Sequence, residues 1–199
     1  MPFYLDDIPA EPFVIEPPET VSLEQFTAAE ALLIDPTGAS TVLAASIEDD
    51  EAVHIDPPAA GFDVEGLWKL RATLTNATAR QQLPDAGIVV QDPDSGWHTL
   101  DSVRAEWPDA DIIPDPSLWA LLATSKLQVV TFAPALTDDA PIPLHYREAQ
   151  RIQARNIWTA AKVSPDGGLG GDDFIVRPFP LDWHVKQILR PRRGVPVVG

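Results

Sequence analysis

Two periodicities divide the chain. Between residues 20 and 94 the apolar positions come in short runs broken by Pro, Gly and Asp. Val21/Leu23 begins one run, and Ala31–Ile34, Thr41–Ile47, Val53–Ile55, Leu67–Leu74 and Gly87–Gln91 follow. Alternation at period 2, with breakers between runs, predicts short strands. Asp35-Pro36-Thr37-Gly38 has the composition of a tight turn, because Pro presets φ at the second position and Gly tolerates the last. These strands predict a β-sandwich of about 70–80 residues.

From residue 96 the period becomes helical. Thr99 is placed to cap a short helix with Leu100, Val103 and Trp107 on one face, stopped by Pro108. Asp115-Pro116 predicts a second start, with Asp as the cap and Pro in the first turn. Leu118, Leu121, Leu122, Val129 and Phe132 then share one face, and Pro134 ends the helix. Pro143 opens a third helix running to about Val163, with Ala149, Ile152, Ile157 and Ala160 apolar. Phe174–Val176 reads as a short strand, and Leu181–Arg190 as a last helix stopped by Pro191. The expected fold class is α+β: an N-terminal sandwich, then a small helical bundle with an extended tail. The expected domains are an extended Pro-rich arm at 1–19, the sandwich at 20–94, a helical domain at 96–190 and a tail at 191–199. The arm holds Pro2, Pro9, Pro12, Pro17 and Pro18 among Phe3, Tyr4, Leu5, Phe13 and Ile15, a spacing that blocks a helix. Its aromatics suggest that it packs on a neighbour.

Composition narrows the function. The 199 residues carry no Cys, which excludes disulfide frameworks, thiolate zinc sites and cysteine nucleophiles. No apolar run approaches the roughly 18–20 residues of a membrane span, so no membrane partner is expected. The N-terminus shows no basic stretch leading into an apolar one, so no signal peptide is expected. Thirty acids against 14 Lys and Arg give a net charge of −16, which disfavours sequence-specific duplex binding. The charge is segregated. Residues 1–68 hold 15 acids and no Lys or Arg, whereas Arg177, Lys186, Arg190, Arg192 and Arg193 face only Asp182 after residue 173.

No chemistry-bearing motif stands out. His54, His98, His145 and His184 sit in neither HExxH nor HxH spacing. The acidic pairs Asp49/Asp50, Asp138/Asp139 and Asp172/Asp173 fall in loops, and the glycines at 167–171 lack the strand–turn–helix setting of a nucleotide site. No nucleophile motif of the GxSxG type occurs. No catalytic residue, metal or cofactor is therefore predicted, and the chain is not expected to be an enzyme. Two basic features remain. Arg147, Arg151 and Arg155 recur every four residues and predict one helix ridge, with Glu148 the only acid in the segment. Arg190, Arg192 and Arg193 precede the apolar strip Val195-Pro196-Val197-Val198, a charged anchor followed by an extended peptide of the kind that adds to another protein.

Four passages in this order resemble the head-to-tail adaptor (connector) proteins of long-tailed bacteriophages, of the type found in phages of actinobacteria. They are Gly96-Trp97-His98-Thr99-Leu100-Asp101-Ser102-Val103-Arg104-Ala105-Glu106-Trp107; Leu118–Leu122 followed by Thr131-Phe132-Ala133-Pro134-Ala135-Leu136; Tyr146-Arg147-Glu148-Ala149-Gln150 through Ala154-Arg155-Asn156-Ile157-Trp158; and Phe179-Pro180-Leu181-Asp182-Trp183 leading to Leu189-Arg190-Pro191. The resemblance covers roughly residues 96–193, and the β-rich front is similar to the immunoglobulin-like domain such adaptors carry. It implies a structural virion protein in the phage neck, assembled in the host cytoplasm. It also implies a homo-oligomeric ring, a dodecamer, beneath the portal protein. The ring would extend the DNA channel toward a stopper or tail terminator protein and touch passing genomic DNA only transiently. Portal docking would fall to Arg190, Arg192, Arg193, Val195, Val197 and Val198, and the subunit interface or channel wall to Arg147, Arg151 and Arg155. The alternative is a β-sandwich binding module for a receptor or glycan, with Trp68 and Trp97 as its platform; a hydrolase ranks below both.

Overall fold

A computed structural model describes residues 2–49, 51–137, 140–162 and 180–190. The chain is α+β and divides into two compact units, one ending at Asp92 and the other beginning at Pro93.

Among the described residues the first unit has nine strands: β1 (Phe3–Tyr4), β2 (Phe13–Ile15), β3 (Ala28–Ile34), β4 (Ser40–Leu43), β5 (Ala45–Glu48), β6 (Ala52–Ile55), β7 (Gly66–Thr75), β8 (Arg80–Gln82) and β9 (Ala86–Gln91). One sheet runs β1-β9-β7-β3-β4, with β8 also paired to β7; the other runs β2-β6-β5. All pairings are antiparallel except β1 on β9. The long strand β7 buries Trp68, Leu70, Ala72 and Leu74 and turns Lys69 outward, as its alternation predicts. Both sheets feed one core, in which Val53 and Ile55 of β6 join Leu33 of β3 and Val90 of β9.

The expected turn forms at residues 35–38. Asp35 Oδ1 accepts from the Thr37 amide (2.8 Å), the Thr37 hydroxyl (2.7 Å) and the Ala39 amide (2.9 Å), and Gly38 takes φ +94°. The Thr37 hydroxyl, ahead of the backbone amides, holds the Asp35 carboxyl below its ordinary range.

Three expectations for this unit change. Residues 2–19 hold two short strands separated by a turn at Leu5–Asp6 (Asp6 φ +67°), and they belong to the β unit: β1 pairs with β9, β2 pairs with β6, and Phe3 packs edge-on against Phe13 and tilted against Phe62 (centroids 5.9 and 5.2 Å). The prolines forbid a helix but leave short edge strands open. Thr41–Ile47 is two strands in different sheets. Leu43, Ala45 and Ile47 all pack on the core, so the inward parity is unbroken while the hydrogen-bond partner changes from β3 to β6. The Val21/Leu23 run is not a strand; Leu23 opens a short 3₁₀ turn and plugs the core at 1% exposure.

Among the described residues the second unit has four α-helices: α1 (Leu100–Glu106), α2 (Asp115–Phe132), α3 (Leu144–Lys162) and α4 (Trp183–Leu189), with 3₁₀ turns at Pro93–Ser95 and Pro108–Ile112. Thr99 caps α1 through a reciprocal box with Ser102: its hydroxyl accepts from the Ser102 amide at 3.2 Å, and its own amide donates to Ser102 Oγ at 2.9 Å. Asp115 is the first helical residue of α2 rather than its cap, and its carboxylate binds Arg104 at 2.7 Å. Helices α2 and α3 pack along each other, and α4 packs on both. Val129, Ala133, Tyr146, Ala149, Val185, Leu189 and Trp97 make a shared core. The Phe174–Val176 strand lies outside the described residues.

Candidate functional site

The polar residues of the helical unit converge where α1 meets α3. His98, just before α1, is buried, with its side chain 1% exposed. Its amide donates to Gln150 Oε1 at 3.0 Å, and Gln150 Nε2 donates onward to the Leu122 carbonyl at 3.1 Å. One amide side chain thus ties the start of α1 to the middle of α2. Arg147 Nε donates to His98 Nδ1 at 3.3 Å. A guanidinium has only donors, so Nδ1 must present its lone pair and the ring proton sits on Nε2. Burial, and after it the charges of Arg147 and Arg151, push the imidazole down to about 4, so the ring is neutral at pH 7.

Glu106, at the last turn of α1, gathers the cations around it. Its carboxylate lies 3.9 Å from Arg147 Nη2, 3.5 Å from Arg151 Nε and 3.8 Å from His98 Nε2. Arg151 also grips Glu148 with both its Nε (3.0 Å) and an Nη2 contact to the second oxygen. Two arginines and two glutamates neutralise each other across the α1–α3 seam. The expected basic ridge is therefore divided. Arg147 and Arg151 turn onto their own chain, and Arg155 alone is exposed, with no ion pair among the described residues.

His98, Ser102 and Glu106 contain the side-chain types of a nucleophile–base–acid trio, with Ser102 Oγ 3.1 Å from His98 Nδ1. Their geometry is committed elsewhere. Ser102 Oγ donates to the Thr99 carbonyl at 3.1 Å and accepts from the Thr99 amide, completing the cap, and Arg147 occupies the Nδ1 lone pair a base would use. The cluster is a clamp between helices. Among the described residues no group of three or more acids and histidines could hold a metal ion, and no helix is long and apolar enough to cross a membrane.

A second feature lies on α2. Its 18 residues carry only Asp115 and Lys126 as charges and are apolar on every side. A helix of that kind is ordinarily enclosed by neighbours. Here Leu127 is 65% and Val130 47% exposed. Val130 borders a groove of about 330 Å³ at the C-terminal end of α2, with Trp97, Ala135, Leu136, Ile142 and Tyr146 among its walls. The Tyr146 hydroxyl donates to the Pro134 carbonyl at 2.7 Å and holds that corner together.

Of the predicted portal-docking residues only Arg190 is described, with its guanidinium 4.7 Å from the Phe132 ring centroid. Arg192, Arg193, Val195, Val197 and Val198 lie outside the described residues. The proposed platform tryptophans are core residues of separate units. Trp68 is 5% exposed and donates to the Val64 carbonyl at 2.8 Å, and Trp97 is 7% exposed. Sequence reading missed the His98–Gln150–Glu106 clamp, whose only trace was polar residues at inward positions of two helices. Comparison with protein-family models, curated proteins and solved structures found no match.

Proposed function

We propose that the chain is the subunit of a head-to-tail adaptor ring in a bacteriophage neck, seated beneath the portal and continuing its DNA channel. On this reading the β unit is an immunoglobulin-like sandwich and the helical unit is the bundle that builds the ring. The observation that carries the proposal is α2: an all-round apolar helix whose Leu127 and Val130 stand open in a single chain. Exposed apolar residues grouped on one helix suit a protein–protein contact. A ring closes such heterologous contacts and avoids open filaments. The order of the four passages quoted above adds support, because their apolar residues (Leu100, Val103, Trp107, Leu118, Leu122, Tyr146, Ile157, Leu189) form the buried faces of α1 to α4.

The acidic charge fits the same role. The unit ending at Asp92 carries 17 acids against three Lys and Arg. Such a surface repels phosphate, so a duplex passing nearby is not retained. The contribution of the arginine ridge narrows to Arg155, because Arg147 and Arg151 are engaged within the chain. The stopper or tail terminator, and the virion neck as location, follow from the same proposal.

The test is to mix the purified chain with portal rings encoded by the same genome and examine the product by negative-stain imaging and particle mass. A homogeneous collar of added density under the portal is expected. Portal rings that remain bare at saturating chain would overturn the proposal.

A further inference from the structure

The two outer faces of the β unit differ in charge. In the first sheet Ala31, Leu33, Leu70 and Ala72 point into the core, so Leu32 and Ile34 of β3 and Lys69 and Arg71 of β7 point out. The register sets Leu32 between Val42 and Arg71, and Ile34 between Ser40 and Lys69. Val42 is 76% exposed. Lys69, Arg71 and Arg80 are the only Lys or Arg of this unit, and all three lie on this sheet. Arg71 holds Asp85 through two nitrogens (3.0 and 2.9 Å), and Arg80 lies 3.5 Å from Glu30. Lys69 is exposed and has no ion pair among the described residues.

The second sheet has the opposite character. Ile15, Val53 and Ile55 point inward, so Val14, His54 and Ser46, aligned across β2, β6 and β5, form an outward row. Val14 is 54% exposed. Glu16 follows β2, and Glu48, Asp49 and Glu51 lie at the turn from β5 to β6; all four are exposed. No Lys or Arg lies on this sheet or its turn, and His54, 3.5 Å from Glu48, is its one basic side chain.

A lone exposed valine is ordinary. The charge around each of these two sets them apart: Lys69 without a partner on one face, exposed acids without Lys or Arg on the other. Unlike faces attract at contact distance, and two copies of the acidic face repel. One chain cannot join its own outer faces, because the core lies between them. A second copy carries the complementary face in equal amount.

We propose that the outer face of the first sheet docks on the outer face of the second sheet of another copy, with Lys69 set against Glu16 and Glu48 and with Val42 and Val14 inside the contact. Because the two faces differ, the contact is heterologous and repeats from copy to copy, closing as a ring or running on as a filament. It is argued without the adaptor reading; where that reading also holds, it joins neighbouring β units around the collar.

The chain has no native Cys, so single thiols report the contact in the full-length protein. Val14→Cys and Val42→Cys chains, one of them mass-tagged, are mixed and treated with a short bismaleimide cross-linker. The three possible dimers are separated by intact mass. Docked thiols have an effective concentration of about millimolar, so a contact with a Kd of about 0.1 mM favours the mixed dimer about tenfold over either like dimer. Lys69→Glu in the Val42→Cys chain should remove most of that preference, and Glu16→Lys/Glu48→Lys in the Val14→Cys partner should restore it. That pattern supports the contact. Equal yields of the three dimers, a preference for a like dimer, a mixed preference that ignores Lys69→Glu, or a loss that the reversed partner does not restore would overturn it. Lys69→Gln stands in if Lys69→Glu fails to fold, and an undiminished preference with it counts equally against the contact. The measurement uses no portal rings, so its failure and that of collar formation are read separately.

Discussion

The two units distribute their polar and apolar groups in opposite ways. Among the described residues the β unit buries one polar side chain, Gln91, whereas the helical unit buries His98, Ser125, Gln150 and Gln153. The β unit exposes Ile8, Val14 and Val42 singly, the latter two on different sheets. The helical unit exposes Ile112, Leu127, Val130, Leu136, Leu144 and Trp183; of these Val130 and Leu136 border one groove, and Leu127 lies one turn from Val130 on α2. Isolated apolar residues on a surface are ordinary, but a grouped set beside a groove marks a contact. The β unit therefore closes its core by itself. The helical unit fixes its helices with internal polar clamps and leaves apolar surface exposed. Specific hydrogen bonds lock helix register where apolar packing, being non-directional, does not.

The largest expected effect falls on the closed unit. Phe62 is fully buried between Phe3 and Trp68, so Phe62→Ala should cost about 3–5 kcal/mol in urea unfolding. A loss under 1 kcal/mol would show that the β core tolerates a cavity and is not closed in the sense argued.

Next comes the pH dependence of the clamp. His98 titrates near 4 when folded and near 6.5 when free. The unfolded chain thus binds the extra proton first. The neutral ring's contribution is fully present above pH 6.5 and is lost as pH falls from 6.5 to about 4. The total is roughly 3 kcal/mol for a shift of this size. The His98→Gln variant should be less stable at pH 7 yet show a flatter stability profile across that window. Parallel profiles for the two proteins would mean that folding leaves the proton affinity of His98 unchanged.

A smaller effect is expected at Gln150. Gln150→Leu removes the acceptor of the buried His98 amide, whereas the Leu122 carbonyl keeps the Ser125 hydroxyl as a donor. It should cost about 1–3 kcal/mol by chemical denaturation. A neutral result would assign the clamp to Arg147, Arg151 and Glu106 instead.

The smallest stability change belongs to the open face. Leu127→Glu should alter the stability of the free chain by no more than about 0.5 kcal/mol, since the side chain is mostly in water already. The same substitution should abolish collar formation on portal rings. Normal collars would remove Leu127 from the assembly contact.

Much of the secondary structure is legible from spacing alone. Thr99, Pro108, Pro134 and Pro143 mark the helix limits to within a residue or two, and the alternation of β7 matches its buried face. Pairing is less legible. The two-residue strand β1 has no periodicity to detect, and its parallel partner β9 lies more than 80 residues away. The break at Ala44 leaves no mark in the pattern, because inward parity continues through it. At the candidate site, the spacing of the arginines predicts one ridge, whereas Arg147 and Arg151 turn onto their own chain and Arg155 stays exposed. That depended on Glu106 arriving from α1, a long-range pairing that no local window contains.

Ala44 has a mechanical consequence. A single residue joins β4 in one sheet to β5 in the other, and its carbonyl accepts the Asp56 amide at 2.9 Å. Covalent backbone does not stretch, so the facing ends of β4 and β5 stay within one residue of each other. Tension on β4 therefore passes through one residue to β5, which places the β3–β4 and β5–β6 ladders in mechanical series.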